Sequence, residues 1–185
     1  MVKKFIKAAV AASILACGVA HAAFTVDDTV MYGGNTYLLL SSGNWTDSEA
    51  YAVSLGGHLV TVNDAAENAF LTDTWGAQKS LWLGLFRTSP GGPTFAWTSG
   101  QAVTYTNWAS GEPNNCCSGE DYTHTFRNGQ WNDLSNVDGY LGAKRGVVEI
   151  TTAVPEPETY ALMLAGLGVI GGIARRRRAK KAAAA

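Results

Sequence analysis

Residues 107–133 read NWASGEPNNCCSGEDYTHTFRNGQWND and are rich in oxygen donors. Glu112 and Asn114 flank Pro113, Glu120 precedes Asp121, and Asn132 and Asp133 follow Trp131. Calcium takes six to eight oxygen ligands from carboxylates, amide carbonyls, backbone and water. The stretch holds a single histidine, His124. Its donor set therefore favours a hard cation over zinc or copper, and no paired-histidine pattern suggests zinc.

Charge is segregated along the 185 residues. Nine of the 14 Lys and Arg sit at the ends: Lys3, Lys4 and Lys7, then 175–178, Lys180 and Lys181. Between Ala23 and Ala153, five basic residues stand against thirteen acidic ones, a balance of −8. Such a middle argues against nucleic acid as a partner, because phosphate binding needs a basic patch. It suits a cation site.

Elements that could position those donors lie upstream. Residues 30–40 read as one or two strands broken at Gly33-Gly34. Thr46 with Glu49 predicts a capping box and a helix ending at Gly56-Gly57. Residues 58–62 predict a short strand. Asp64 with Glu67 opens a second helix, in which Ala66 and Phe70, then Leu71 and Trp75, share a face at i, i+4 spacing. Residues 81–86 form an apolar run fit for a buried strand. Residues 90–93 are turn-rich. Residues 129–131 and 146–150 predict the last strands. Early helices and late strands give an α+β class. Trp82, Trp97, Trp108 and Trp131 read as core, and His58 and His124 as structural or exposed.

The order of these pieces resembles the C-type lectin domain. The matching words are Trp45, Gly56-Gly57-His58-Leu59-Val60, Glu67-Asn68 and Leu81-Trp82-Leu83-Gly84-Leu85. They continue through Trp97, Tyr105-Thr106-Asn107-Trp108, Glu112-Pro113-Asn114, Glu120-Asp121 and Trp131-Asn132-Asp133. The resemblance implies a small α+β fold with a long loop region carrying Ca2+. It places the calcium ligands on Glu112, Asn114, Glu120, Asn132 and Asp133, with the Asp133 carbonyl as a sixth oxygen. Glu112, Asn114, Glu120 and Asn132 would also meet two neighbouring sugar hydroxyls. The Glu-Pro-Asn order resembles the version linked to mannose, glucose, fucose and N-acetylglucosamine, whereas a Gln-Pro-Asp order is linked to galactose. In the family the peptide bond before this proline is cis, which aims both flanking side chains at the metal. Asp121 would belong to an auxiliary calcium site. The loop that should complete it, Phe86-Arg87-Thr88-Ser89-Pro90, lacks carboxylates, so Asp121 is expected to be solvated or to support the ligands.

The usual cysteine positions of the family hold Ala52, Tyr122, Val148 and a residue near Val137. Cys116 and Cys117 stand together in the acidic loop instead. In an exported chain they could form a vicinal disulfide, remain thiols or bridge two chains.

Both ends read as targeting segments. Residues 1–22 have a basic start, an apolar run and Ala20-His21-Ala22 at the cleavage positions of a secretory signal. Ile14-Leu15-Ala16-Cys17 is a poor lipobox. Residues 23–152 are the domain, long enough to bury a core unaided. Residues 153–185 begin with Pro155-Glu156-Pro157, run through 16 mostly apolar residues at 159–174 and end in an Arg-rich tail. This resembles the PEP-CTERM sorting signals of Gram-negative bacteria. That likeness implies export, transient membrane anchoring, removal by an exosortase and an association with exopolysaccharide. A plain membrane anchor is the competing reading of this short apolar span.

Three activities fit. One is a calcium-dependent carbohydrate-binding module for surface or matrix polysaccharide. Another is a non-catalytic structural or protein-binding module that uses calcium only to order its loops. The third is a glycosidase with a carboxylate pair among Glu112, Glu120 and Asp133. Such a pair needs one protonated acid, whereas metal ligation keeps carboxylates ionised, and no Gly-x-Ser-x-Gly motif is present. The reading is therefore not an enzyme.

Overall fold

The computed structural model describes residues 24–116, 119–137 and 143–151. The secretory segment, Cys117 and the sorting tail lie outside the described residues, and so do the expectations attached to them.

The class is α+β. Strands β1 (Val26–Tyr32) and β2 (Asn35–Ser42) form a hairpin, followed by helix α1 (Trp45–Ser54), β3 (His58–Leu59) and helix α2 (Ala65–Leu71). Then come β4 (Ser80–Arg87), β5 (Phe95–Trp97), β6 (Tyr122–Thr125), β7 (Trp131–Leu134) and β8 (Lys144–Ile150). The sheet runs β1-β2-β8-β4-β6-β7, with β3 on β8 and β5 on β4. The β4–β8 pair is parallel and the others are antiparallel.

The Gly33-Gly34 turn falls where expected, with φ of 59° and 92°. Both faces of the central strands are covered, so their sequences are apolar runs rather than alternations. Tyr37 and Leu39 pack with Leu81, Leu83, Leu85, Val147 and Trp131. Leu38, Leu40 and Val148 pack instead with Ala52 of α1. Ala52 and Val148, two of the positions where the resemblance leads one to expect cysteine, are thus joined by packing. Gly84 lets β4 approach β3: a Cβ there would stand 2.3 Å from the Leu59 carbonyl oxygen.

Several expectations need correcting. The cap of α1 is Asn44, not Thr46: Asn44 is extended at ψ 168° and its side chain accepts from the Asp47 N–H. Glu49 therefore closes no capping box. It accepts instead from the Leu59 N–H at 2.8 Å and meets His58 Nδ1 at 2.7 Å, tying α1 to β3. The strand expected at 58–62 is regular only at His58–Leu59. Ala66 is exposed, whereas Phe70, Leu71 and Trp75 are buried. Trp108 is only partly buried. Of the last two expected strands, β7 starts and ends later than 129–131, β8 starts two residues earlier than 146 and ends at Ile150 as expected, and β5 and β6 are additional. Asp64 does cap α2, accepting from the Ala66 and Glu67 N–H groups. The α1 helix closes with Gly56 at φ 82°, as the glycine pair predicts.

Glu67 and Glu149 are both buried beneath this sheet. The Tyr37 hydroxyl donates to Glu67 Oε1 at 2.6 Å and lies 3.4 Å from Glu149 Oε1. Asn35 Nδ2 donates to Glu149 at 2.7 Å. Burial first, and then Glu67, push the Glu149 carboxyl above the usual carboxylate range. A carboxyl raised on folding holds its proton more tightly in the folded state. Its contribution to stability is thus fully present below the ordinary glutamate range and is lost as pH rises through the raised value. Urea midpoints taken between pH 7 and pH 4 should show that Glu149→Gln raises stability at neutral pH and flattens the acid-side gain. A parallel offset between the two proteins at every pH would refute the coupling.

Candidate functional site

The acidic loop is anchored to β7 before its side chains matter. Trp131 N–H donates to the Asn107 carbonyl at 2.8 Å, and Ala109 N–H donates to the Trp131 carbonyl at 2.9 Å. Trp131 is fully buried, and its Nε1 donates to Asn68 Oδ1 at 2.8 Å. Glu112 N–H then donates to the Ala109 carbonyl at 3.0 Å, and the Glu112–Pro113 bond is cis.

Asp133 gathers the loop. It has no exposed surface. Its Oδ1 accepts from Asn114 N–H at 3.0 Å, and its Oδ2 from Asn115 N–H at 2.9 Å and from Arg87 Nη2. Asn115 sits at φ 48°, a left-handed conformation that asparagine tolerates. Its Oδ1 accepts from Gly119 N–H and Glu120 N–H, each at 3.1 Å. The guanidinium of Arg87 also donates to the Glu120 carbonyl at 2.9 Å and to the Gly92 carbonyl. It lies 4.6 Å from the ring centre of Phe95. Three segments of chain therefore converge on one buried cation.

The negative charge still exceeds it. Burial first, and then Asp133, push Glu112 above the usual carboxylate range. Glu120 is raised by the same two causes and by Glu112, against the Cys116 N–H and Arg87, which lower it. Glu112 Oε2 is buried and meets no hydrogen-bond partner among the described residues. A buried acceptor without a donor is costly, and a cation at this point would satisfy it. Among the described residues, no three His, Cys, Asp or Glu side chains form a metal cage by themselves. Amide and backbone oxygens would have to complete one, which matches a calcium donor set.

The two asparagines differ. Asn114 is exposed, and its Oδ1 accepts from Cys116 N–H at 2.6 Å. Asn132 is buried opposite His124 in the β6–β7 register, its Nδ2 3.2 Å from His124 Nε2. Burial pushes the His124 pKa down to about 4, so the ring is neutral near pH 7. With its Nδ1 facing the Thr125 carbonyl at 3.0 Å, Nε2 accepts from Asn132. The structure thus brings Glu112, Asn114, Glu120 and Asp133 together. Asn132 stands next to them with its amide nitrogen committed to His124. Asp121 ties a neighbouring loop, its Oδ1 accepting from Gly91 N–H at 2.8 Å. Arg87 and Asn115 are the residues that sequence reasoning missed, while His124, read as structural or exposed, is buried and structural. A lone arginine closing the apolar run of β4 was the one signal for Arg87.

Residues 41–138 match the Lectin C-type domain model, over half of the chain. The chain belongs to the C-type lectin domain family. Residues 153–178 match the PEP-CTERM protein-sorting motif, which indicates export and exosortase-dependent sorting. The lectin domain is 34% identical over 119 residues to the alpha-N-acetylgalactosamine-specific lectin of Patiria pectinifera, covering 56% of this chain and 69% of that one. It is 33% identical over 118 residues to the low affinity immunoglobulin epsilon Fc receptor of Mus musculus, covering 62% of this chain. The match spans 35% of that receptor and 25% of the Bos taurus pulmonary surfactant-associated protein D, so it covers a minor part of either protein. In three dimensions the chain is similar to the C-type lectin CEL-I from Cucumaria echinata, with a TM-score of 0.59 and 28% identity over 66% of this chain and 94% of that one. The lectin family is generally non-catalytic. Among the described residues no helix is long and apolar enough to cross a membrane.

Proposed function

We propose that this domain is an exported, calcium-dependent carbohydrate-binding module. Glu112, Asn114, Glu120, Asn132 and Asp133 would hold the ion, and the first four would also contact the sugar. The observation that carries the reading is the charge imbalance: Asp133 raises the cost of ionising both Glu112 and Glu120, and Glu112 Oε2 meets no donor among the described residues. Bound calcium would supply open coordination positions for two neighbouring hydroxyls. The carboxylates would accept hydrogen bonds from those hydroxyls, and the Asn amides would donate to them, Asn132 through the amide hydrogen that His124 does not take. The Glu112-Pro113-Asn114 order favours mannose, glucose, fucose or N-acetylglucosamine units of a surface or matrix polysaccharide. The name of the Patiria pectinifera relative gives a different sugar, so specificity must be tested directly.

Glycan binding should disappear in EGTA and return with calcium. Undiminished binding in EGTA would defeat the proposal. The exchange Glu112→Gln with Asn114→Asp should move preference from mannose-type to galactose-type ligands, read as a reversal of the two affinities in calorimetry. If neither affinity responds, these side chains do not contact the sugar.

A second reading is a protein-binding module on the same fold. Arg87 already ties the loops together from inside, and the mouse relative is named as an immunoglobulin receptor. The fold also occurs in a calcium-independent type II antifreeze protein, at 22% identity and a TM-score of 0.56. Loss of sugar binding at every calcium concentration would favour this reading.

A further inference from the structure

The five basic residues of the lectin domain are Lys79, Arg87, Arg127, Lys144 and Arg145. Their placement is uneven. Arg87 serves the acidic loops. Lys79, Arg127 and Arg145 line one open cleft of about 550 Å³, together with Ser42, Gln78 and Phe126. Lys144 is buried beside it, its Nζ 5.7 Å from the ring centre of Trp82. A domain with a balance of −8 thus concentrates its positive charge in one concave place.

The cleft lies apart from the acidic loops. Ser80, which begins β4, lines it, whereas Arg87 ends the same strand at the loops. Eight residues of strand put these ends roughly 23 Å apart. That is well beyond the roughly 8 Å screening length of physiological salt.

The cations in the cleft are not equivalent. Arg145 is engaged: its Nε donates to the Leu40 carbonyl at 2.7 Å, and its Nη2 pairs with Asp27. The side chains of Lys79 and Arg127 have no hydrogen-bond or ion-pair partner among the described residues. Phe126 is half-buried, and its ring is fixed edge-on against His124 at 5.4 Å. The cleft therefore offers two uncommitted cations, a held arginine, an amide in Gln78 and an apolar ring. Its size falls within the range of small-ligand pockets.

We propose that this cleft is a second binding site, independent of calcium, for an anionic sugar unit of a polysaccharide. The anionic group pairs with Lys79 and Arg127, Gln78 hydrogen-bonds ring hydroxyls, and the apolar face of the sugar lies on Phe126. Two free cations in a concavity do not suit a flat anionic membrane, because the acidic surface around them would be repelled. An acidic chain that threads the cleft meets the positive charge while presenting few groups to the rest. A carboxylate and a sulfate ester share this chemistry. The inference does not rest on the calcium reading.

The test uses the exported chain in EGTA, so failure of the calcium site leaves it readable. A uronate oligosaccharide, a sulfated one and a neutral one of equal length are titrated by calorimetry. At least one anionic oligosaccharide should bind, more weakly as salt rises, while the neutral one does not. The pair of arms tells carboxylate from sulfate. Lys79→Gln with Arg127→Gln should weaken anionic binding by about tenfold or more, while circular dichroism stays unchanged. Neither side chain has a partner to lose among the described residues, so the variant should fold. Binding that survives the double change, a requirement for calcium, or equal retention by vesicles of anionic phospholipid would each overturn the proposal. So would absence of binding to both anionic oligosaccharides.

Discussion

Arg87→Met should cost the cation-free domain about 3–5 kcal/mol of folding stability, the range for removing one partner of a buried ion pair. The side chain of Arg87 is 5% exposed and that of Asp133 is fully buried. Methionine fills much of the aliphatic volume, so the loss reports on charge rather than on a cavity. Asp133 would keep only the Asn114 and Asn115 N–H groups as donors. The carbonyls of Glu120 and Gly92 would lose their guanidinium donor as well. Replacing both partners, as Arg87→Met with Asp133→Leu, removes the uncompensated charge. It should cost less than the two single changes added together. Urea unfolding in EGTA of the four proteins measures this, and simple additivity would mean that the pair is not coupled. Calcium gives an independent reading. On the proposed ligand set, an ion held by Asp133 would supply positive charge where the guanidinium was removed, so saturating calcium should recover part of the loss.

This arginine shows where the sequence stopped being informative. The oxygen donors were legible because they lie in short words with fixed spacing. The partner of Asp133 was not, because it is 46 positions away and meets the carboxylate only after β4, β6 and β7 are side by side. The same distinction runs through the fold. Asp64 as a cap, Gly56 as a helix stop and residues 81–86 as buried strand follow from local chemistry. Asn44 and Thr46 are both competent caps, and the extended backbone at Asn44 decided between them. Strand β6 is Tyr-Thr-His-Thr, and its last three residues are all buried. Polar residues buried on both faces leave no alternation to read, and His124 belongs there only because Asn132 lies opposite. The position of Asn132 has the same origin. His124 lies opposite Asn132 in the register, so the Asn132 amide nitrogen is drawn to its Nε2 beside the loop that Asp133 joins.

The second large effect belongs to Trp131. Trp131→Ala should cost about 3–5 kcal/mol for the deleted ring, with about 1–3 kcal/mol more for the amide oxygen it abandons. The ring is fully buried and meets Trp97, Tyr105 and Trp108 edge-on, at 5.9, 5.7 and 5.8 Å between ring centres. Its Nε1 satisfies Asn68, whose own Nδ2 donates to the Gly129 carbonyl at 3.1 Å. Trp131→Phe separates the two contributions, because it keeps most of the apolar contact and loses only the donor. It should cost about 1–3 kcal/mol. Chemical denaturation of the three proteins gives both numbers, and equal losses for Ala and Phe would show that packing of this ring is not what holds the strand. Function should follow stability here, since the backbone of Trp131 pairs with residues 107 and 109 on the approach to Glu112. Asn132 and Asp133 come directly after it. A β7 that loosens at Trp131 releases both walls of the acidic site at once. The Phe variant should therefore keep the cationic cleft at the far end of β4 intact while weakening the sugar binding proposed for the acidic loops.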